Sequence, residues 1–147
     1  MKDQLIYSNA FYDFITGKAS IAIVRRLHRN FKSNNNEITA EQLSILFQLW
    51  DKEGLSQQEI ANNTFKDKPS ITRLLNNMEK LNLVVRVPHQ SDKRTNLIYL
   101  TQKGKDLKKR SIKQADITLQ EALKDVSEEN VQICYATLQK VFENLKQ

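Results

Sequence analysis

Apolar residues recur every three or four positions over most of the chain, which is the spacing of one face of an α-helix. The first such stretch runs from about Leu5 to Phe31 and predicts one long amphipathic helix. The polar run at 33–36 predicts the connection that follows it. A second helix is predicted from Thr39 to the region of Gly54, with Leu43, Leu46, Phe47 and Trp50 among its apolar positions.

Signals for helix starts recur along the chain. A Ser or Thr followed three positions later by Glu or Gln predicts a capping box, in which each side chain satisfies a backbone N–H near the other. Asp67, a good N-cap, precedes Pro69, which is tolerated in a first helical turn. A short polar linker at 62–64 is expected to separate the two central helices. The capping boxes are Thr39 with Gln42 and Ser56 with Glu59.

The helix predicted at about 67–81 has two distinct faces. Its apolar residues form one stripe that would pack on a core, and its polar residues lie on the opposite side. Asn82 follows it, where a left-handed residue commonly ends a helix. The stripe is Ile71, Leu74, Leu75, Met78 and Leu81, and the polar face is Pro69, Arg73, Asn76, Asn77 and Lys80.

Two β-like runs, 83–87 and 97–100, predict a hairpin with a polar connection at about 88–96. Two further amphipathic helices are expected after Thr101 and Ser127. The chain holds 3 glycines and 2 prolines, too few for an all-β fold. The predicted fold is therefore mainly α, a winged helix-turn-helix with a short β-hairpin wing and long N- and C-terminal helices.

This order of elements predicts double-stranded DNA as a partner. The helix at 67–81 would enter the major groove, where arginine pairs with guanine and asparagine with adenine. Arg73 and Asn76 suit those roles, and Ser70 and Thr72 could contact phosphates or bases from the flanks. Lys68 and Asn77 complete the candidates on this helix.

The net charge of +6 favours a polyanionic partner without establishing one. Basic residues concentrate in the middle of the chain and in the helix after Thr101. The lysines and arginines of that helix between Lys103 and Lys113 are interpreted as a solvated face rather than as specific contacts.

KPSITRLLNNMEKLNLVVR followed by SDKRTNLIYLTQKG resembles the recognition helix and wing of the MarR family of transcriptional regulators. The most specific part is Asp92, Lys93 and Arg94, followed by a strand and by Leu-Thr-x-x-Gly ending at Gly104. The resemblance implies that Arg94 reaches into a minor groove and that Asp92 helps to hold the wing. Asn82 stands where the family has glycine, and it tolerates the same backbone conformation.

The resemblance also implies a homodimer and a pseudo-palindromic operator. We expect a single domain over 1–147, with dimerisation helices at 1–35 and 114–147 and a winged helix-turn-helix at 37–113. The outer helices carry apolar stripes that the central region could not bury alone. The expected protein is a repressor that is relieved by a small molecule.

Many relatives have an aromatic effector pocket between the dimerisation helices and the DNA-binding lobe. Tyr7, Phe11, Phe47 and Trp50 could line such a pocket, which would take a small aromatic or anionic effector. Ordinary core packing explains the same residues equally well.

Other classes of protein find less support. With two histidines and no Gly-rich phosphate loop, neither a catalytic triad nor a zinc site is indicated, and no cofactor is expected. Cys134 lies on an apolar stripe and is expected to be buried and structural. No leader or membrane-spanning run is evident, so a cytoplasmic location is expected. The alternative is a winged-helix protein-interaction module that does not bind DNA.

Overall fold

The computed structural model describes residues 9–146, apart from the side chains of Ala10 and Phe11. The described chain is mainly helical with one small sheet, as predicted. Its elements are α1 Asn9–Thr16, α2 Lys18–Ser33, α3 Ala40–Asp51, β1 Leu55–Ser56, α4 Gln57–Thr64, α5 Lys68–Lys80, β2 Val84–Pro88, β3 Asn96–Leu100, α6 Gln102–Ala122 and α7 Glu128–Leu145.

The N-terminal helical region is broken at Gly17. This residue has φ of 64°, in the left-handed region that glycine adopts without a Cβ penalty. The prediction of one continuous helix from Leu5 to Phe31 is therefore wrong at this position, and its first residues, 5–8, lie outside the described part. Asn82 also has a positive φ, 57°, which confirms the predicted left-handed end of α5.

The predicted caps are confirmed. Thr39 accepts a hydrogen bond from the N–H of Gln42 at 3.2 Å, and the Gln42 side chain accepts one from the Thr39 N–H at 2.9 Å. Ser56 and Glu59 form the same reciprocal pair at the head of α4. These capping residues fix where the helices begin, because each satisfies N–H groups that have no partner inside the helix.

The linker predicted at 62–64 is wrong, because α4 continues through these residues to Thr64. The Thr64 hydroxyl donates to the carbonyl oxygen of Ile60 at 2.8 Å, which ties it to the preceding turn. The turn between α4 and α5 lies at 65–67 instead, where Phe65 has a left-handed φ of 52°. Helix α3 likewise ends at Asp51, before Gly54.

The sheet has three antiparallel strands in the order β1-β3-β2. The hairpin of β2 and β3 was predicted, whereas β1 is only two residues long and has too short a pattern to be recognised. Leu55 of β1 and Arg86 of β2 both lie opposite Ile98 of the central strand. The sheet thus connects the region before α4 to the base of the wing.

One hydrophobic core joins the central helices to the sheet, and it includes the predicted apolar face of α5. Trp50 packs at its edge, where the indole Nε1 donates to the carbonyl oxygen of Gly104 at 3.0 Å. Residues with less than 2% exposure include Phe31, Ile45, Leu46, Leu49, Ile60, Ile71, Leu75, Met78, Val84 and Ile98.

The start of α6 lies unusually close to the residue that begins the wing. A Cβ at Gly104 would collide with the backbone carbonyl oxygen of Leu83. Thr101 caps the helix by accepting from the Gly104 N–H at 3.0 Å, and its own hydroxyl donates to the Asn82 carbonyl oxygen at 2.6 Å. The Leu-Thr-x-x-Gly sequence is therefore explained by backbone packing and a cap.

Helix α2 packs along α6, where Arg26 forms a bidentate ion pair with Glu121. Helix α7, in contrast, has no buried residue within the described chain. Cys134 on α7 is exposed, so the expectation of a buried cysteine is wrong for the single chain. Among the described residues, no helix is both long enough and apolar enough to cross a membrane.

Candidate nucleic-acid interface

Helix α5 presents one face to solvent because its other face belongs to the core. Its position is fixed at the N-terminus by Asp67, whose Oδ1 accepts a hydrogen bond from the Ser70 N–H at 2.7 Å. That backbone hydrogen bond lowers the pKa of Asp67 and so favours the ionised cap. The predicted bounds of 67–81 are confirmed, with Asp67 and Leu81 as the flanking caps.

The structure brings the helical candidates together on this surface. Arg73, Asn76 and Asn77 are exposed, as are Lys68 and Thr72, while Ser70 is half-buried. Within residues 9–146, neither the Arg73 guanidinium nor the Asn77 amide has a hydrogen-bond partner. These donors are therefore free to bind an external acceptor.

Two polar contacts brace the same surface from outside α5. Gln57, at the start of α4, donates to the Thr72 hydroxyl, which itself donates to the Lys68 carbonyl oxygen at 2.9 Å. Arg86, on β2, donates to Asn76 Oδ1 at 2.9 Å. The exposed face is thus tied both to the preceding helix and to the wing.

Asp92, Lys93 and Arg94 lie in the loop between β2 and β3, at the tip of the wing. Asp92 organises this loop by accepting hydrogen bonds from Arg94 and Thr95. The backbone hydrogen bond from Arg94, followed by that from the Thr95 hydroxyl, lowers the pKa of Asp92. The side chains of Lys93 and Arg94 are exposed and have no partner in the described part of the chain.

Two lysines of the basic helix α6 contact the helix-turn-helix region. Lys103 donates to the carbonyl oxygen of Leu81 at 2.8 Å. Lys105 pairs with Glu53 at 3.3 Å. These contacts join α6 to the helix-turn-helix region, while both lysines stay exposed, in agreement with the predicted solvated face.

An open groove of about 1010 Å³ separates α2 from the helix-turn-helix, and Phe47 lines it. Arg73 and Asn77 border the same groove, so it reaches the polar face of α5. Trp50 was expected to line this pocket, but it is not among the lining residues. Its ring packs edge to face on Phe47, with 5.6 Å between the ring centroids. Tyr7 and the side chain of Phe11 lie outside the described residues.

Residues 38–95 match the family model described as MarR family. This match spans α3 to β2 and the wing loop up to Thr95, so this part of the chain is similar to the MarR family. Over 74 residues it is 39% identical to the HTH-type transcriptional regulator TtmR of Methylorubrum extorquens, covering 50% of this chain and 38% of TtmR. The chain also spans only about half of the length of other curated relatives that it matches.

Solved structures show the same fold. The transcriptional regulator SlyA has a TM-score of 0.80 at 21% identity, with 94% of each chain covered. The transcriptional repressor CouR, in a structure bound to a 23-mer DNA duplex, has a TM-score of 0.78 at 22% identity, with 87% of this chain and 89% of CouR covered. The described chain therefore has the same winged-helix fold as these solved structures.

Sequence reasoning missed the residues that position the candidate site. Arg86 stands between valines in β2, where a basic residue reads as ordinary strand surface. Gln57 directly follows a helix cap and carries no motif. The signal for Arg86 was its isolation among apolar neighbours. Its partners Glu79 and Asn76 belong to a different element, α5, so only the packing of β2 beside that helix identifies them.

Proposed function

We propose that this protein is a sequence-specific, double-stranded DNA-binding transcriptional regulator. The observation that carries this proposal is the exposed face of α5, on which Arg73 and Asn77 have unengaged donors. Lys93 and Arg94 add exposed cations at the wing that have no partner among residues 9–146. CouR, which shares the fold, is named a transcriptional repressor and is bound to a DNA duplex in its structure.

In this role α5 lies in the major groove and the wing lies at the adjacent minor groove. Arg73 and Asn76 read base edges, because guanidinium and amide groups match the hydrogen-bonding patterns of bases. Lys68, Ser70 and Thr72 contact phosphates or bases at the flank, and the α5 N-terminus favours a phosphate. Arg94 enters the minor groove, where the negative potential is strong.

The regulator acts as a homodimer through residues 1–35 and 114–147, with 37–113 as the DNA-binding region. Support comes from the many apolar side chains that the single chain leaves exposed on its outer helices, far more than scattered surface residues would give. A dimer places two α5 helices against a pseudo-palindromic operator. The exposed residues include Tyr12, Phe14, Ile15, Ile133, Leu138, Phe142 and Leu145.

The protein represses transcription until a small aromatic or anionic effector binds in the groove beside Phe47. Arg73 borders this groove as well as the DNA-facing surface. An effector bound there would engage Arg73, or would hold the two α5 helices of the dimer at a spacing that does not fit the operator. Linkage requires such an effector to bind the free dimer more tightly than the DNA-bound dimer. This role involves no catalytic step and belongs in the cytoplasm.

Selection of bound fragments from the source genome tests the proposal. We expect enrichment of fragments that share a pseudo-palindrome with half-sites about 34 Å apart. Affinity for the selected duplex should fall steeply with salt and exceed that for random duplex. Random enrichment without salt-sensitive binding would contradict the proposal and favour the protein-interaction module.

The effector is tested separately with a panel of aromatic carboxylates and phenols. A compound that weakens operator binding by the parent should lose its effect in Phe47→Ala, whereas Ile112→Ala, which alters an exposed apolar residue elsewhere, should respond like the parent. If no compound shifts the affinity, regulation by small molecules is not a property of this groove.

A further inference from the structure

The guanidinium of Arg86 bridges two residues on the exposed edge of α5. One terminal nitrogen donates to the Glu79 carboxylate, and the other donates to Asn76 Oδ1 at 2.9 Å. Asn76 and Glu79 are three positions apart, so they are neighbours on the helix surface. Arg86 itself lies in the middle of β2, opposite Ile98.

This bridge determines which end of the Asn76 amide faces away from the wing. Arginine has only donors, so the amide atom that contacts it is the oxygen rather than the nitrogen. One acceptor position of Asn76 is thereby occupied within the protein. The Nδ2 group has no partner among the described residues, and the side chain is exposed.

The ion pair with Glu79 makes Arg86 a firm support. The Arg86 side chain is 19% exposed and the Glu79 side chain 33% exposed, so neither is freely solvated. A planar guanidinium can serve both acceptors at once, whereas a lysine ammonium lacks this fork geometry. The orientation of Asn76 is therefore set before any DNA is bound.

We infer that Arg86 is a positioning residue that presents Asn76 to DNA as a hydrogen-bond donor. Asn76 then selects a base acceptor in the major groove, such as a purine N7, guanine O6 or thymine O4. This differs from the two-bond pairing with adenine expected from the sequence, which also uses the amide oxygen. The inference rests on the proposed function and adds the chemistry of one contact.

The test begins with the operator position at which Asn76→Ala loses base preference. The parent should prefer a base with an exposed acceptor there. For a purine, 7-deaza substitution should weaken parent binding about fivefold or more, and should have little effect on Asn76→Ala. If loss of an adenine N6 amino group weakens the parent as strongly as loss of N7, the donor assignment is overturned.

Arg86→Lys and Arg86→Met separate positioning from charge. Arg86→Lys retains the charge, so it should bind random duplex within about twofold of the parent while preference at the Asn76 position falls about fivefold. Arg86→Met removes the charge and should lose the same preference. The control Arg110→Met removes an exposed arginine of α6 that has no part in the bridge, and should retain the preference.

A readout in the free protein tests the bridge directly. Substituting Arg86 should shift the side-chain amide signals of Asn76 in NMR spectra, while those of Asn77 should stay in place. Thermal melts establish that each variant is folded. Folded Arg86 variants that keep the parental base preference would overturn this inference alone, whereas a parent without any sequence preference would overturn the proposed function and this inference together.

Discussion

Asp92 Oδ1 accepts a hydrogen bond from the backbone N–H of Arg94 at 3.0 Å. Its second oxygen accepts from the Thr95 hydroxyl at 2.9 Å. The carboxylate thus folds the wing tip around itself and leaves the guanidinium two residues later exposed. This geometry supports separate roles, in which Asp92 shapes the loop and Arg94 contacts DNA.

Substitution at the wing should separate these two roles. We expect Arg94→Ala to weaken binding to operator and random duplex alike. The slope of log affinity against log salt should fall by about one, because one positive charge close to the DNA phosphates is lost. Asp92→Ala should cause a milder loss, since the charge of Arg94 remains on a less ordered loop. Fluorescence anisotropy across a salt series measures both. A greater loss for Asp92→Ala than for Arg94→Ala would contradict this assignment.

Substitution on α5 should affect specificity. Arg73→Ala and Asn76→Ala should each cost about 1–3 kcal/mol on operator and less on random duplex, because base-edge contacts are lost. Arg110→Ala is the matched control, since it removes an exposed arginine from α6. Competition binding with both duplexes provides the measurement. If the α5 variants bind like the parent while changes between Lys103 and Lys113 abolish binding, the DNA surface is on α6 instead.

The Arg26–Glu121 ion pair should make stability depend on acid pH. The hydrogen bond from Arg26, followed by that from Asn30, lowers the pKa of Glu121 to about 2 from its usual 4.5. A lowered folded-state pKa gives stabilisation that is present above the unfolded value and is lost as pH falls through the folded value. Glu121→Gln should therefore lower Tm at pH 6, with the difference from the parent shrinking between pH 4.5 and 2.

Glu143→Gln serves as the control for that pH series, because Glu143 is an exposed carboxylate for which the structure gives no ion pair within the described range. It should leave the pH dependence of Tm close to that of the parent. A Glu121→Gln variant that melts in parallel with the parent from pH 6 to pH 2 would show that the pair does not stabilise the fold.

Gly104→Ala should destabilise the junction between the wing and α6. The added methyl group would meet the Leu83 carbonyl oxygen, and backbone atoms cannot move aside as a flexible side chain can. We expect a loss of about 1–3 kcal/mol in the free energy of unfolding, as for overpacking elsewhere. Urea denaturation measures it, with Lys109→Ala, an exposed position on the same helix, as the control. A loss no larger than in that control would mean that the junction relaxes easily.

Helix α7 should determine the oligomeric state. Leu138 is 50% exposed in the single chain, and burying it in a dimer would make a charge there costly. We expect Leu138→Glu to raise the dimer dissociation constant at least about tenfold. Gln139→Glu adds the same charge to an adjacent polar residue and should leave the dimer intact. Sedimentation velocity distinguishes these outcomes, and a monomeric parent at micromolar concentration would exclude the dimer.

The sequence by itself determined the elements whose signals are local. Capping residues at Thr39, Ser56, Asp67 and Thr101 fixed helix starts, because each satisfies backbone groups within its own first turn. The two faces of α5 followed from helical periodicity, and the β2–β3 hairpin from its β-branched runs. Arg73 was correctly placed on the exposed side for the same reason.

The tertiary structure decided what depends on contacts between different elements and on the conformation of single backbone positions. Strand β1 forms because β3 supplies its hydrogen bonds, and two residues alone carry no periodic pattern. Arg86 reaches Asn76 because the sheet packs beside α5, a relationship that no spacing records. Gly17 breaks a helix that its apolar neighbours favour, because a left-handed backbone there is compatible with glycine and redirects the chain. Local backbone and capping preferences determined the helices and strands, and their packing determined which polar side chains contact one another.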